Sequence, residues 1–428
     1  MQQETLTIPA TDRTPPARAI LAATLGNAFE WYDFIVYGLF ASSIAKAFFP
    51  AQTELRSLLL TVATFGVGFV ARPVGAIVLG GYADRAGRGA ALTLIMVLMT
   101  LGTALVAATP GYASIGVWAP LLVVAGRLIQ GFSVGGDIGG ATALMIEAAP
   151  AGRRNLYTSL QMVGQFAATL AGVSIGSVLS LLFSQQEIAQ WAWRIPFFVG
   201  LLIGPIGAWI RATAIDAAEF RAASQSTGSA LNELARNHLR DLATAFGLTV
   251  LGTIATYVLI VHMPAFAIVQ LRLSFGQSYT AVAIGAVLGL VTAPIAGGIG
   301  DRHGSRRLTL VSCLALGVAS YPLFLMIVGA PRFATLVAFE AILSVLVSVF
   351  IVSGLAVAVQ AFPPRVRSTG LAIGYSVGVA IFGGFGPLIA TWLVAATGNQ
   401  AAPALFVIGG AVVTLATLVS LKPGRPGG

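Results

Sequence analysis

The chain has 428 residues, of which 57% are hydrophobic and only 9% charged, and its mean hydropathy is +0.88. A water-soluble domain carries about 25% charged residues, so water is not the solvent for most of this surface. The net charge of +9 comes without an exposed basic domain, which removes nucleic acid as a partner, and the lone Cys313 excludes a disulfide framework or a thiolate metal cluster.

Residues 1–18 are polar and contain proline, without the basic start of a secretory leader. The first apolar run is too long for a leader core and carries two acids, so no cleavage is expected. Apolar runs follow at 19–47, 55–82, 90–109, 117–148, 156–183, 192–211, 242–271, 279–300, 308–328, 333–361, 368–396 and 403–421. Runs of this size cross a ~30 Å hydrocarbon core as helices, and they lack the ~10-residue alternation of a membrane barrel. The expected fold is an all-α membrane protein with twelve transmembrane helices in two six-helix bundles, 1–211 and 242–428. Residues 212–241 read as a polar linker, within which 230–242 are expected to form a short amphipathic helix.

Two segments half a chain apart support the division. Gly80-Gly-Tyr-Ala-Asp84-Arg85-Ala-Gly87-Arg88 and Gly297-Gly-Ile-Gly-Asp301-Arg302-His-Gly304-Ser-Arg306 both fit Gly-x-x-x-Asp-Arg-x-Gly, each between two apolar runs. Duplication of this kind is a common architecture of membrane carriers. Most of the 24 Lys and Arg residues fall on the side of the two termini; the other side holds only Lys46, Arg56, Arg194, Arg272 and Arg332. That asymmetry predicts cytoplasmic termini and places both copies of the motif inside. No Gly-x-x-x-x-Gly-Lys-[Ser/Thr] loop is present, so transport driven by ATP from this chain alone is not expected.

The duplicated loop resembles the signature of the major facilitator superfamily. Within it, five further stretches resemble the metabolite:proton symporter family, whose members carry citrate, α-ketoglutarate, shikimate or proline and betaine. They are Gly26-Asn-Ala-Phe-Glu30-Trp-Tyr-Asp33-Phe, Arg72-Pro73-Val-Gly75, Arg127-Leu-Ile-Gln130-Gly131-Phe-Ser-Val-Gly-Gly-Asp137, Trp193-Arg194-Ile-Pro196-Phe and Pro364-Arg365-Val-Arg367-Ser-Thr-Gly370. Ile44-Ala-Lys46-Ala-Phe-Phe-Pro50 together with Phe382-Gly-Gly-Phe-Gly-Pro387 looks most like the citrate branch. Three positions depart from the pattern: Gly89 stands where a second basic residue is usual, Asp137 where Glu is, and His262-Met-Pro264 where an aromatic residue precedes the proline.

Charges within spans cost roughly 2.5–3.5 kcal/mol each at a helix centre, so they pair or face a watery cavity. Glu30 and Asp33 share one helix face, and two close carboxylates in low dielectric favour a proton on one of them. Asp137 is a third protonatable candidate. Arg127 lies about 15 Å from Asp137 along one helix, so it is expected to reach the acids of the first span or a substrate carboxylate. Arg72 lies about 18 Å from the Asp84 loop, either as a counter-charge for an anion or as an internal partner. Pro73 beside it is expected to open the helix locally. Gln130, Tyr37, Gln161, Gln165 and His262 are candidate pathway groups that serve equally as interhelical hydrogen bonders, and Glu340 is an isolated acid without a motif.

The resemblance implies that Asp84, Arg85, Arg88, Glu147, Arg153, Asp301, Arg302, Arg306, Arg365 and Arg367 form a cytoplasmic gate bridging the bundles when the inside is shut. A carboxylate there can sit against a helix N-terminus. Three scattered histidines and one cysteine supply neither a catalytic cluster nor a metal site, so no enzyme activity, catalytic residue, metal or cofactor is expected. The sequence reading is a monomeric carrier of the bacterial inner membrane, whose partners are the lipid bilayer, protons and a small organic anion. A citrate-like di- or tricarboxylate or α-ketoglutarate comes first; betaine, proline or a shikimate-like acid are the alternatives.

Overall fold

A computed structural model describes residues 17–51, 53–86, 88–135, 142, 145–146, 149–150, 152–201, 233–363 and 366–421, with side chains omitted at 17–19, 22–23, 26, 54, 80–81, 83–93 and 368. Every described element is helical. Among the described residues twelve helices overlap the twelve expected spans, eight of them long and apolar enough to cross a membrane, while the later parts of the expected spans 117–148 and 192–211 lie largely outside the described residues: α1 Ala17–Leu39, α2 Leu55–Leu79, α3 Arg88–Ala108, α4 Trp118–Val134, α5 Arg154–Leu182, α6 Ala192–Leu201, α7 Leu239–Val269, α8 Phe275–His303, α9 Ser305–Gly329, α10 Phe333–Gln360, α11 Thr369–Thr397 and α12 Pro403–Ser420.

Several boundaries differ from the sequence reading, each for a local reason. The first span ends at Leu39 rather than 47, because Phe40 leaves helical geometry (φ −97°, ψ 15°) and a separate helix, Ala41–Phe48, follows. The second span is broken at Ala71, where Glu54–Val70 gives way to Arg72–Ala86. Pro73 has no N–H for the preceding turn, so the break falls where proline puts it. Ser274 and Gln277 form a capping box that starts α8 at Phe275 rather than 279. The helix α7 starts at Leu239, inside the expected linker; residues 233–237 are helical with Leu234 buried, and 202–232 lie outside the described residues. Single π-helical turns interrupt α7 at Val258–His262, directly before Met263-Pro264, and α11 at Val379–Gly384, shortly before Pro387.

In a membrane, helices associate through close backbone approach and interhelical hydrogen bonds. A Cβ on Gly131 of α4 would collide with the Gly68 carbonyl of α2, and one on Gly75 with the Phe132 carbonyl. These glycines bring two backbones into contact around the buried charges. Gly304 has φ +90° and turns the chain between α8 and α9, a conformation that glycine alone adopts without strain.

Among the described residues the N-terminal and C-terminal halves meet along several seams, of which three join helices around the buried layer. The longest runs between α5 and α8, where Phe166 packs on Gly289 and Tyr279 on Gly176. A second joins α2 and α11, where Gly66 and Phe69 meet Gly384. The third joins α1 and α7, through Gly38 against Val261 and the Trp31 and Tyr257 rings at 5.8 Å.

Candidate functional site

The middle of the N-terminal half holds a buried charged layer. Glu30, Asp33, Arg72 and Arg127 are each at most 4% exposed. Asp33 on α1 accepts from Thr103 Oγ1 of α3 at 2.7 Å and from Gln130 Nε2 of α4, and its Oδ2 lies 3.5 Å from Arg127 Nη1. Arg127 Nη1 also donates to Gln130 Oε1 at 2.9 Å, while Gln130 Nε2 reaches Thr103 Oγ1 at 3.1 Å. Thus α1, α3 and α4 each contribute a side chain to one closed network. The spacing of Arg127 and Gln130 on α4 places both on the face that meets α1.

Aromatic rings replace water around the two guanidinium groups. Arg127 lies 4.6, 4.4 and 5.1 Å from the ring centres of Phe34, Tyr37 and Phe65. Arg72 lies 3.9 Å from Phe69 and 4.7 Å from Phe34, so both cations share the Phe34 ring. Such contacts are attractive by about 0.5–2 kcal/mol, more when desolvated. Arg72 is also within electrostatic reach of Glu30, Tyr257 and Tyr375. Arg127 Nε and Nη2 and Arg72 Nε have no hydrogen-bond partner among the described residues.

A narrow cavity adjoins this layer. Its wall combines Trp31 of α1 and Gln161 and Gln165 of α5 with Thr249, Thr253, Thr256 and Tyr257 of α7, Phe350 of α10 and Tyr375 of α11. Two of the expected pathway residues, Gln161 and Gln165, therefore line it, and Gln161 Nε2 also donates to Thr142 Oγ1 at 2.6 Å. Arg72 stands behind Tyr257 and Tyr375, whereas Arg127, Gln130 and Tyr37 lie deeper and are absent from the wall. Tyr37 donates to the Thr61 carbonyl at 3.4 Å. His262 is elsewhere: its Nδ1 is 3.3 Å from Thr391 Oγ1, and its ring stacks on Phe266, joining α7 to α11. Glu340 is buried on α10 beside Ser344 and Gly285, away from the charged layer. The threonines at 249, 253 and 256 escape the sequence reading, although their i, i+4, i+7 spacing marks one helix face.

At one end, which we call the Asp301 end, the halves are tied by hydrogen bonds. Asp301 Oδ1 accepts from the main-chain N of Asn155 at 2.8 Å and from its Nδ2 at 2.7 Å; Oδ2 accepts from Leu156 N at 3.1 Å. Ser305 Oγ donates to Asn155 Oδ1 at 2.8 Å. The carboxylate thus occupies the N-terminus of α5, where the helix dipole favours negative charge. Arg306 turns the other way and donates to the carbonyls of Leu418 and Leu421 at the end of α12, within the same half. Arg302 and Arg153 are exposed, and Arg367 Nε donates to the Phe362 carbonyl at 3.4 Å. The side chains of Asp84, Arg85, Arg88, Asp137, Glu147 and Arg365 lie outside the described residues.

At the opposite end, Tyr279 of α8 donates to the Leu39 carbonyl of α1 at 2.9 Å and packs on Phe40, with centroids 5.7 Å apart. The cavity lies between this contact and the Asp301 end. Among the described residues no group of histidine, cysteine and carboxylate side chains is arranged to hold a metal ion.

The sequence matches the family model described as Major Facilitator Superfamily over residues 23–339 and 245–428. It is 35% identical over 415 residues to a citrate-proton symporter of Salmonella typhi, covering 96% of this chain and 95% of the relative. A citrate-proton symporter of Klebsiella pneumoniae is also 35% identical, over 90% of this chain and 87% of its own. A proline/betaine transporter of Escherichia coli strain K12 is 31% identical, over 95% and 83%. Among solved structures, the fold is similar to the xylose transporter of E. coli in a partially occluded inward-open conformation. That match has a TM-score of 0.75 at 16% identity, over 97% of this chain and all of the other.

Proposed function

From the premise that the chain belongs to the Major Facilitator Superfamily, as a multi-pass membrane protein of the metabolite:proton symporter kind, we propose a proton-coupled symporter of a small organic acid working by alternating access. The first substrate class is a citrate-like di- or tricarboxylate, or α-ketoglutarate, in line with the citrate-proton symporters at 35% identity. The carrier is a monomer in the bacterial inner membrane, with two six-helix bundles and both termini and the Asp301 end in the cytoplasm.

The observation that carries this reading is the charge balance of the buried layer, where two acids face two arginines. An ionised carboxylate brought against Arg72 or Arg127 adds negative charge to a balanced, water-poor site. A proton taken up by Asp33 or Glu30 restores the balance, because a carboxylate deprived of its cationic partner in low dielectric is strongly driven to protonate. Substrate and protein acids then compete for the same guanidinium groups, and that competition couples the two cargoes. Rocking of the halves about the α5–α8 and α2–α11 seams, with Asp301 released from Asn155, exposes the cavity to one side.

A second reading is a zwitterion such as betaine or proline, and the cavity wall favours it. Trp31, Tyr257 and Tyr375 line the space, no basic side chain among the described residues does, and aromatic faces recognise quaternary ammonium groups. Uptake into proteoliposomes of citrate, α-ketoglutarate, betaine and proline, with and without an inward proton gradient, decides between the readings. Carboxylate uptake that disappears with a proton-collapsing agent is expected. Uptake indifferent to the gradient overturns symport, and uptake of betaine alone replaces the first substrate class by the second.

A further inference from the structure

Glu340 is the sole acid of α10, and the central charged layer makes no use of it. It is 1% exposed. Its Oε1 is buried without a hydrogen-bond partner among the described residues, and no cationic side chain is paired with its carboxyl group. An ionised carboxylate held out of water in this way is unfavourable unless it is paired, whereas the neutral acid avoids the cost of burying a charge. An acid inside a membrane span that is not needed for pairing calls for another role.

Its position in the fold suggests that role. Glu340, Ser344 and Ser348 recur at four-residue intervals and form one stripe of α10. The stripe meets the glycines of α8. A Cβ on Gly285 would lie 2.7 Å from Ser344 Oγ and 3.0 Å from the Glu340 carbonyl, and Ser348 Oγ donates to the Gly289 carbonyl at 3.0 Å. Phe166 of α5 packs on that same Gly289. Toward its two ends α8 makes the Tyr279–Leu39 and Asp301–Asn155 contacts. Glu340 thus stands against the helix that touches the other half at both ends and in its middle. The helices α5, α7, α8, α9 and α11 pack on α10. Their charged residues lie at the Asp301 end, about 24 Å along α8 from Gly285. Away from that end their titratable groups are Tyr257, His262, Tyr279, Cys313, Tyr321 and Tyr375, and His262 Nε2 is itself without a partner. Arg332, at the start of α10, is exposed.

We propose that Glu340 is a proton-binding site of the C-terminal half, separate from the Asp33–Arg127 network, whose neutral form seats α8 on α10 and whose ionisation loosens α8. The step breaks the O–H bond of the carboxylic acid and passes the proton to water that enters between the two helices. Because α8 carries contacts to the other half along its length, the charge on Glu340 acts on both ends of the molecule. Binding of this proton does not depend on the carrier reading; its consequence for transport does.

Infrared spectra of the full-length protein in lipid nanodiscs read the proton directly, since a carboxylic acid has a C=O stretch that a carboxylate lacks. At neutral pH the unmodified protein is expected to show such a band, which Glu340→Gln loses and Glu340→Asp shifts. The packed form binds the proton, so raising the pH should remove the band, lower the melting midpoint and speed amide hydrogen exchange in α8. Glu340→Gln, which cannot ionise, should flatten both pH profiles relative to the unmodified protein. If Glu340→Gln does not fold, Glu340→Asp supplies the spectral comparison. Neutral-pH spectra that superimpose with and without Glu340, or a band already lost in the ordinary carboxylate range, overturn the site. Melting and α8 exchange that follow one pH profile in the unmodified protein and in Glu340→Gln overturn its action on α8. Failure of uptake in the unmodified protein bears on the carrier reading alone.

Discussion

Asp301 accepts from both nitrogens of Asn155, at 2.8 and 2.7 Å, so a carboxylate of the C-terminal half completes the first turn of a helix in the N-terminal half. Charge-assisted hydrogen bonds of this type are worth about 1.5–3 kcal/mol each, and under the proposed alternating access they are broken when this end opens. Asp301→Ala should therefore raise the population open at that end by roughly tenfold or more. The check is the maleimide labelling rate of Thr253→Cys in a Cys313→Ser background, where an unchanged rate would show that the contact does not hold the halves. Ser305→Ala, which removes only the support of Asn155 Oδ1, should have the same sign and a smaller size.

Asp33 and Arg127 should behave as a unit. Removing one member of a buried ion pair typically costs about 3–5 kcal/mol, because the other charge is stranded. Asp33→Asn and Arg127→Gln are each expected to lower the unfolding midpoint in detergent, and the double variant to lose less than the sum. Asp33→Asn should also keep substrate exchange across the membrane while abolishing uphill uptake. Strict additivity in the cycle would argue against the pairing, and intact uphill uptake would move the coupling proton elsewhere.

Glycine substitutions separate close packing from loose. Gly131→Ala places a methyl group against the main chain of Gly68 and should abolish assembly or transport. Gly298→Ala, where nothing lies within 4 Å, should be tolerated. Expression and thermal melting of the two variants provide the comparison, and equal melting points would contradict the backbone contact.

The cavity wall makes its own forecast. Trp31 borders the space, so its fluorescence should change on addition of the carried substrate. Thr253→Val keeps the volume but removes a hydroxyl, and should weaken binding by roughly five- to tenfold if that hydroxyl contacts the ligand, as expected for one hydrogen bond of about 1 kcal/mol. A fluorescence response that survives Thr253→Val at unchanged affinity would remove this face of α7 from recognition.

Much of the architecture is legible in the sequence because membrane spans are set by length and hydropathy, and the described helices overlap the apolar runs, eight of them long and apolar enough to cross a membrane. Helix ends are less legible. The break at Phe40 and the early start of α8 depend on backbone geometry and a capping box rather than on composition. Within the site, rarity singles out the charges: Glu30, Asp33, Arg72 and Arg127 stand alone in apolar runs, and three-dimensional packing then decides which acid meets which arginine. The cavity wall is harder to read. Thr249, Thr253 and Tyr375 are ordinary residues in a membrane helix, and only the approach of α7, α10 and α11 to α1 and α5 makes them neighbours. His262 shows the converse, since a residue type suited to chemistry is held by Thr391 away from the cavity.

The contacts at Gly68, Gly75 and Gly131 join main chain to main chain, so α2 and α4 have no side chains there that can yield by changing rotamer. The two buried arginines, Arg72 on α2 and Arg127 on α4, are consequently fixed to one inflexible frame. Across from them, α7, α10 and α11 present replaceable threonines, aromatics and glycines. If the proposed carrier reading holds, substitutions on that second surface should shift selectivity while leaving the rigid arginine frame in place, which makes the C-terminal wall the first target for redesign.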